Sequence, residues 1–355
     1  MSTTPESLAQ MLQYAADMQQ QGKSVLRSLQ SIGDVEVGAS KKVCVYTENK
    51  TRLFRYAPLA RSAGIKPLLI CYAMVNRPYL LDLQPDRSFI RELLSAGLEV
   101  YLLDWGYPDG ADRFVGLDEY IDGHLRHCVE FILREHAIDS LNLLGVCQGG
   151  TTSLCYAALE PEQIAQLVTM VTPVDFKTPE NLLSKWAQPI DVDLLTQSGN
   201  VSGDFLNFVY LSLMPFRLTQ QKYVNLLRMQ GDRVQLENFM RMEKWIFDSP
   251  DQPAHAFRDF IQWFFKENRL IRDELTLGGK PVRLKNITRP VLNIYATKDH
   301  LVPPSASVPL GAYVGSKDYR SLEIDAGHIG LYVGGKSCKT VPAAIASWLL
   351  DRQKS

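Results

Sequence analysis

Leu141–Gly150, which reads LNLLGVCQGG, is the stretch that decides the fold of this 355-residue chain. Its short apolar run enters a Gly-x-Cys-x-Gly turn, and small or helix-compatible residues follow from Thr151 to Ala158. This order predicts a strand, a sharp turn and a helix. Cys147 stands at the tip of the predicted turn, where the backbone is strained and only small neighbours fit.

The pattern resembles the nucleophile elbow of α/β-hydrolases, with Cys in the place where Ser usually stands. Gly145 and Gly149 would let the strand and the helix pack closely around Cys147. The backbone N–H of Gln148 would lie at the helix N-terminus, where it could meet a developing oxyanion. We therefore expect Cys147 to be the nucleophile and Gln148 to supply one donor of the oxyanion hole.

Strand and helix patterns alternate on both sides of this elbow. Leu68–Met74 and Pro290–Ala296 contain continuous apolar runs, which are typical of parallel strands buried on both faces. The alternation predicts an α/β fold with a mostly parallel sheet and right-handed crossovers. Further strands are predicted at Val43–Tyr46, Leu53–Tyr56, Val100–Leu103, Leu167–Val171 and Arg320–Ile324, and helices at Asp86–Ala96, Leu117–His136 and Val341–Leu350.

The alternation stops between residues 175 and 285, which show helical patterns but no clear buried strand. Fifteen of the chain's 34 Phe, Trp and Tyr residues fall between Phe176 and Phe265. Since structureless loops of this length are uncommon, we predict a mainly helical cap subdomain at 175–285, inserted into a catalytic core at 40–174 and 286–355. The aromatic side chains could form the core of the cap, and a few could line a tunnel for an apolar acyl chain.

Residues 1–39 are predicted to be an N-terminal amphipathic helical segment. Its apolar residues follow helical spacing, which produces a stripe along one face. That stripe would pack on the chain's own core or offer a surface to a partner. The residues concerned are Leu8, Met11, Leu12, Ala15, Met18, Val25, Leu26 and Leu29.

Composition and charge exclude several classes of function. The formal net charge of −1 gives no indication of nucleic-acid binding, and no stretch of about 18 apolar residues predicts a membrane span. The N-terminus lacks the pattern of a signal peptide, and the six Cys are scattered without metal-binding spacing, so we expect a cytoplasmic protein. His124 and His127 share a helix face, but no third ligand follows, and we expect no metal site.

A Cys nucleophile needs a base and a group that orients the base. In this fold these residues follow the nucleophile in the order acid and then His. Asp299 and His328 have that order, and each comes just after a predicted strand, at the sheet edge where α/β proteins place ligands. Asp104 and Asp175 also lie near strand ends, although their order along the chain disfavours them.

The second oxyanion donor is expected from the loop after Leu68–Met74, where hydrolases of this fold place it. The backbone N–H of Val75 or Asn76 is the natural candidate, and Pro78 has no N–H to offer. Asn76 and His300 are also candidates for lining the substrate site. For His300 a packing or surface role is equally open.

With these residues the chain resembles the catalytic subunit of class III polyhydroxyalkanoate synthases, the two-subunit type of purple sulfur bacteria. The likeness extends from about residue 40 to the C-terminus, and the short chain fits this class, although class IV enzymes are short as well. It is carried by VNRPY at 75–79, DWGYP at 104–108, GVCQGG at 145–150, VTPVDFKTP at 171–179, MEKWIFD at 242–248, DHLVPP at 299–304 and GHIG at 327–330.

The resemblance implies an acyltransferase that polymerises (R)-3-hydroxyacyl-CoA, chiefly 3-hydroxybutyryl-CoA, and releases CoA without any cofactor. It implies that Cys147 holds the chain as a thioester, that His328 is the general base, and that Asp299 either orients His328 or activates the incoming hydroxyl. It further implies a second, small synthase subunit, a homodimer, and association with polyester granules in the cytoplasm.

Cys at the elbow favours acyl transfer, because a thioester remains activated enough for an alcohol to attack it. Two alternatives remain open from the sequence. One is a Cys-type hydrolase or thioesterase on the same scaffold. The other is a catalytically silent module that binds the granule surface.

Overall fold

A central eight-stranded sheet organises the molecule. The computed structural model describes residues 20, 23–213, 222–229 and 231–353. The strands of the sheet are β1 (Val43–Glu48), β2 (Thr51–Tyr56), β3 (Leu68–Cys71), β6 (Val100–Asp104), β7 (Leu141–Val146), β8 (Ile164–Met170), β11 (Val291–Ala296) and β12 (Tyr319–Ile324). Two short hairpins lie outside it, β4 (Asp82–Gln84) with β5 (Arg87–Ser88), and β9 (Thr276–Leu277) with β10 (Lys280–Pro281).

The strand order is β1-β2-β6-β3-β7-β8-β11-β12. β1 and β2 form an antiparallel hairpin, and β2 runs antiparallel to β6. From β6 to β12 all neighbours are parallel. The sheet is therefore mostly parallel, as the alternation of strand and helix patterns predicted.

The strands are buried on both faces, because successive side chains of a strand point to opposite sides. In β7, Leu141 and Leu143 belong to one hydrophobic cluster, and Leu144 and Val146 belong to the other. Each cluster is covered by helices, which is the arrangement that parallel sheets require.

The α-helices are α1 (23–32), α2 (Phe89–Ser95), α3 (Arg126–His136), α4 (Gln148–Leu159), α5 (Leu182–Ala187), α6 (Val192–Thr196), α7 (Gly203–Ser212), α8 (Lys222–Arg228), α9 (Arg233–Phe247), α10 (Ala254–Phe260), α11 (Pro304–Ser307), α12 (Leu310–Tyr313), α13 (Gly330–Val333) and α14 (Ser337–Gln353). α2 and α14 contribute to one cluster, and α3 and α4 to the other. Nowhere in the described ranges is a helix both long and apolar enough to cross a bilayer.

Several elements differ from the sequence prediction in their limits, and three of them are informative. The predicted helix 86–96 starts only at Phe89, because the hairpin β4–β5 precedes it and the Ser88 hydroxyl caps it by accepting the Arg91 N–H at 2.8 Å. The predicted helix 117–136 begins with a π-helical segment, Glu119–Leu125. The apolar run 68–74 is a strand only as far as Cys71.

Between β8 and β11 the described chain consists mainly of helices α5 to α10. Four of its aromatic rings pack against one another in tilted or edge-to-face pairs with centroids 4.8–6.0 Å apart: Phe176, Phe260, Phe264 and Phe265. They join the cluster on the α3–α4 side of the sheet. The packing of these four rings therefore supports a role in a hydrophobic core, and not in the lining of a tunnel.

The described part of the N-terminal segment packs on helices α8 and α9, which lie between β8 and β11 in the chain. Val25 in α1 is buried against Leu226 of α8 and Leu236 of α9. Leu26, one position further, is exposed. This part of the stripe therefore packs on the chain itself, while the predicted stripe from Leu8 to Met18 lies outside the described residues.

Candidate active site

Cys147 lies between the end of β7 and the start of α4, with φ 55° and ψ −124°. A positive φ is strained for a residue other than Gly, so the surrounding structure must hold it. The Cys147 N–H donates to the Met170 carbonyl at 2.9 Å, and the Cys147 carbonyl accepts from the Gly150 N–H at 2.9 Å. These bonds fix the turn between the neighbouring strand and the new helix, and leave the thiol half-buried.

Two glycines make this turn possible through close approach of backbones. A Cβ on Gly149 would overlap the backbone of Cys71 and Tyr72 at the end of β3. A Cβ on Gly145 would lie only 2.8 Å from the Gly149 carbonyl oxygen. Both contacts are closer than carbon tolerates, which is the reason the Gly-x-Cys-x-Gly pattern is needed here.

His328 and Asp299 meet at the same edge of the sheet. Asp299 follows β11 and His328 follows the neighbouring parallel strand β12. The His328 Nδ1–H donates to Asp299 Oδ2 at 2.7 Å, and both side chains are buried. The other carboxylate oxygen, Oδ1, accepts from the N–H groups of Leu301 and Val302 at 2.8 and 2.9 Å.

The His328 ring also interacts with Cys147, so the three predicted residues are brought together. Burial by itself lowers the pKa of His328, because it disfavours the charged ring. The charges of Asp299 and Cys147 and the hydrogen bonds to both residues outweigh burial and raise the pKa of His328 to about 10. The raised pKa favours the pair in which the ring holds the proton that a thiol nucleophile has given up.

The predicted oxyanion donors lie on two segments that touch each other. Gln148 is the first residue of α4, and the first N–H groups of a helix have no partner within it. The Gln148 side-chain oxygen accepts the Met74 N–H at 3.0 Å, which joins the elbow to the loop after β3. Val75 and Asn76 follow in that loop, both half-buried, and Asn76 has a positive φ of 58°.

Comparison with known proteins assigns the family. Poly(3-hydroxyalkanoate) polymerase subunit PhaC of Allochromatium vinosum is 50% identical to this chain, and the alignment covers 98% of both. The protein of the same name from Synechocystis sp. is 45% identical over 98% of this chain and 94% of the relative. The chain belongs to the poly(3-hydroxyalkanoate) polymerase family. Membership confirms the resemblance drawn from the motifs and the expectation of an enzyme.

Family models agree with this assignment. The model of the poly-beta-hydroxybutyrate polymerase (PhaC) N-terminus matches residues 1–93, and the model of the alpha/beta hydrolase fold matches residues 66–335. The crystal structure of a thermophilic esterase from Thermogutta terrifontis superposes with a TM-score of 0.52 at 14% identity, covering 88% of this chain and 99% of the esterase. That likeness concerns the fold, and it confirms the predicted α/β-hydrolase fold.

The two competing acids in this member of the polymerase family have other partners. Asp104 accepts from Arg77 Nη2 at 2.6 Å and from the Gly106 N–H at 2.9 Å. Asp175 accepts from the Lys177 N–H at 3.0 Å and from Asn268 Nδ2 at 2.9 Å. Both carboxylates are engaged by other residues, and Asp299 is the acid that pairs with His328.

Three tyrosines that lie near Cys147 were not identified as candidates from the sequence. Burial raises the pKa of Tyr72, Tyr210 and Tyr332, and the charge of Cys147 raises it further. The rings of Tyr72 and Tyr332 lie 6.5 Å apart, and Tyr332 also lies edge-on to His328. Tyr332 follows His328 by four positions, which is a signal the sequence offered, whereas Tyr210 reaches the site only through the packing of α7.

Two of the remaining candidates, His124 and His127, lie apart from the reacting groups and contact Glu48. His127 Nδ1 lies 2.9 Å from Glu48, and His124 Nδ1 lies 3.3 Å from the same carboxylate. Within the described ranges no three His, Cys, Asp or Glu side chains are arranged to hold a metal ion. His300 is half-buried beside Asp299.

Proposed function

We propose that this chain transfers (R)-3-hydroxyacyl units, chiefly 3-hydroxybutyryl, from CoA to a growing polyester and releases CoA. One observation carries the proposal. Cys147 occupies the elbow with His328 and Asp299 behind it, in a chain that is 50% identical to a polymerase subunit over nearly its whole length. The CoA thioester is the substrate, and the reaction needs no cofactor.

In the loading step, the Cys147 thiol gives its proton to His328, and the sulfur attacks the thioester carbonyl of the substrate. The C–S bond to CoA breaks, and His328 returns the proton to the departing CoA sulfur. One thioester replaces another, so the step is close to balanced in free energy. The N–H of Gln148 and that of Val75 or Asn76 stabilise the oxyanion that forms between these events.

In the elongation step, the 3-hydroxyl of a substrate molecule attacks the thioester held by Cys147. The hydroxyl proton goes to His328 and from there to the departing Cys147 sulfur. Asp299 holds the His328 ring in the orientation that both steps need. The engagement of both Asp299 oxygens, by His328 and by two backbone N–H groups, supports this orienting role over direct activation of the hydroxyl.

Residues 175–285 act as a cap that keeps water from the acyl-enzyme, because water would cleave the polyester. The division into a segment at 1–39, a core at 40–174 and 286–355, and this cap follows the limits drawn from the sequence. Tyr210 supports the role of the cap, since it comes from α7 within the cap and lies near Cys147. His300 and Asn76 line the substrate side of the site.

The polymerase works with a second, smaller subunit and forms a homodimer at the surface of polyester granules in the cytoplasm. The word subunit in the names of the relatives supports a multi-subunit enzyme. The net charge of −1 agrees with contact to an uncharged polyester surface and disfavours nucleic acid as a partner.

The test is a joint assay of CoA release and turbidity with purified chain and 3-hydroxybutyryl-CoA, with and without a candidate small subunit. We expect CoA release accompanied by insoluble polymer. CoA release with free 3-hydroxybutyrate and no polymer would identify a thioesterase instead. No CoA release under any of these conditions would point to a silent binding module.

A further inference from the structure

Three of the stretches that identify the family, 75–79, 104–108 and 242–248, include no residue of the Cys147–His328–Asp299 group. The first follows β3, the second follows β6, and the third is the end of α9. The fold brings all three to one place, around the loop that carries Val75 and Asn76. Because these three stretches contain none of the three catalytic candidates, their contacts with this loop call for a separate explanation.

The end of α9 is bound directly to that loop. The indole Nε1–H of Trp245, which is buried, donates to the Arg77 carbonyl at 2.8 Å. In the opposite direction, Asn76 Nδ2 donates to the carbonyls of Trp245 at 3.4 Å and Ile246 at 3.3 Å. The loop and the end of α9 therefore each donate a side-chain hydrogen bond to the backbone of the other.

Asp248 closes the same contact one turn later. Its two oxygens accept from the hydroxyl of Tyr79 at 2.9 Å and from that of Tyr107 at 2.6 Å. Burial raises the pKa of both tyrosines, and the Asp248 carboxylate raises each further, for Tyr107 to about 12. Both hydroxyls therefore keep their protons and remain donors to Asp248.

Arg77 and Gln252 make further contacts that hold the loop in place. The Arg77 guanidinium lies over the Tyr107 ring, 4.1 Å from its centre, and donates to the Gly106 carbonyl at 2.7 Å. Gln252, just after α9, donates from Nε2 to the Met74 carbonyl at 2.9 Å. The loop is therefore gripped by the end of α9 and the segment after it, while the bond from the Met74 N–H to the Gln148 side chain ties it to the elbow.

We infer that Trp245 and Asp248 are positioning residues, which hold the 75–77 backbone where its N–H can meet the oxyanion. The inference rests on the proposed function, in which Val75 or Asn76 supplies the second donor. Its consequence is that acyl transfer is supported only while the end of α9 is docked on the loop. Movement of the cap that undocks this end would remove a donor without touching Cys147, His328 or Asp299.

The main test is Trp245→Phe, which keeps a ring but removes the N–H donor, together with the double variant Tyr79→Phe/Tyr107→Phe. The matched control is Tyr223→Phe, because Tyr223 also donates to a carboxylate of α9, that of Glu243 at 3.0 Å, but from within the cap. Asp248→Asn keeps an acceptor oxygen and should be milder than Asp248→Ala.

We expect Trp245→Phe to lower kcat for CoA release at least tenfold with KM within twofold, since an oxyanion donor acts in the transition state. Alkylation of Cys147 by iodoacetamide should keep its rate, because that reaction needs no oxyanion donor. Amide hydrogen exchange at 74–77 should rise at least tenfold. Tyr223→Phe should change none of these values.

Unchanged hydrogen exchange at 74–77 in Trp245→Phe would overturn the inference, whatever the activity of the wild-type chain. Increased exchange with unchanged kcat would overturn it as well, and so would a parallel fall in the alkylation rate, which indicates general damage. If the proposed function is wrong, the wild-type enzyme makes no polymer. The hydrogen-exchange measurement at 74–77 then still decides whether Trp245 positions the loop.

Discussion

His328 Nδ1 lies 2.7 Å from Asp299 Oδ2, although 29 positions separate the two residues. The contact arises because β11 and β12 are parallel neighbours, so that their carboxyl ends deliver both side chains to one edge of the sheet. The N–H groups of Leu301 and Val302 hold the second oxygen of Asp299 and prevent the carboxylate from turning. The ring of His328 is thereby fixed in orientation, and it also hydrogen-bonds to Cys147.

Replacing Cys147 with Ala should abolish CoA release from 3-hydroxybutyryl-CoA, because no other group stands at the elbow tip. Mass spectrometry of wild-type enzyme should show the acyl adduct on Cys147 and none in the variant. Cys44→Ser is the control, since Cys44 is an exposed thiol on β1. Turnover by Cys147→Ala would refute the assignment of the nucleophile.

Asp299→Asn should lower kcat by about 10²–10⁴-fold, because the amide no longer stabilises a protonated His328 or fixes its tautomer. The measurement is the steady-state rate of CoA release. Asp175→Asn serves as the control, since Asp175 also follows a strand but accepts hydrogen bonds from Lys177 and Asn268. Equal losses in both variants would count against a specific role for Asp299.

The pKa of His328 should fall when Cys147 is replaced with Ala, since the charge of Cys147 and its hydrogen bond both raise it. Nuclear magnetic resonance of labelled histidine would follow the titration, with Cys44→Ser again as the control. A pKa that stays near 10 in Cys147→Ala would mean that Asp299 alone sets it.

The same pKa shift makes stability depend on pH. The pKa of His328 is raised above its ordinary value of 6.5 to about 10, so the protonated ring favours the folded state. This contribution is fully present below pH 6.5 and is lost as the pH rises through about 10. Urea unfolding should therefore show that wild-type stability falls relative to His328→Gln across this window, and parallel curves would contradict the shift.

Gly149→Ala should lower the free energy of unfolding by about 1–3 kcal/mol, because the new methyl group overlaps the backbone at the end of β3. Chemical denaturation would measure the change. Gly335→Ala is the matched control, since no atom lies within 4 Å of a Cβ placed there. A Gly149→Ala protein as stable as the control would show that β3 and α4 can separate without cost.

The stretch around Cys147 predicted the elbow, and the order of Asp299 and His328 along the chain identified them as the preferred candidates. Both predictions depend on local pattern: an apolar run, small residues at a tight turn, and polar residues directly after strands. Asp104 and Asp175 satisfied the same local rule. Their order along the chain disfavoured them, and the structure gives them other partners, Arg77 and Asn268.

The sequence by itself determined the mostly parallel sheet, the strained turn at Cys147 and the family. Each of them depends on patterns within short stretches of consecutive residues. The tertiary structure decided which acid meets His328, that Tyr210 lies near Cys147, and that Trp245 is bonded to the loop of Asn76. These relationships join residues far apart in the chain. Their existence depends on how helices pack over the edge of the sheet, which no local spacing records.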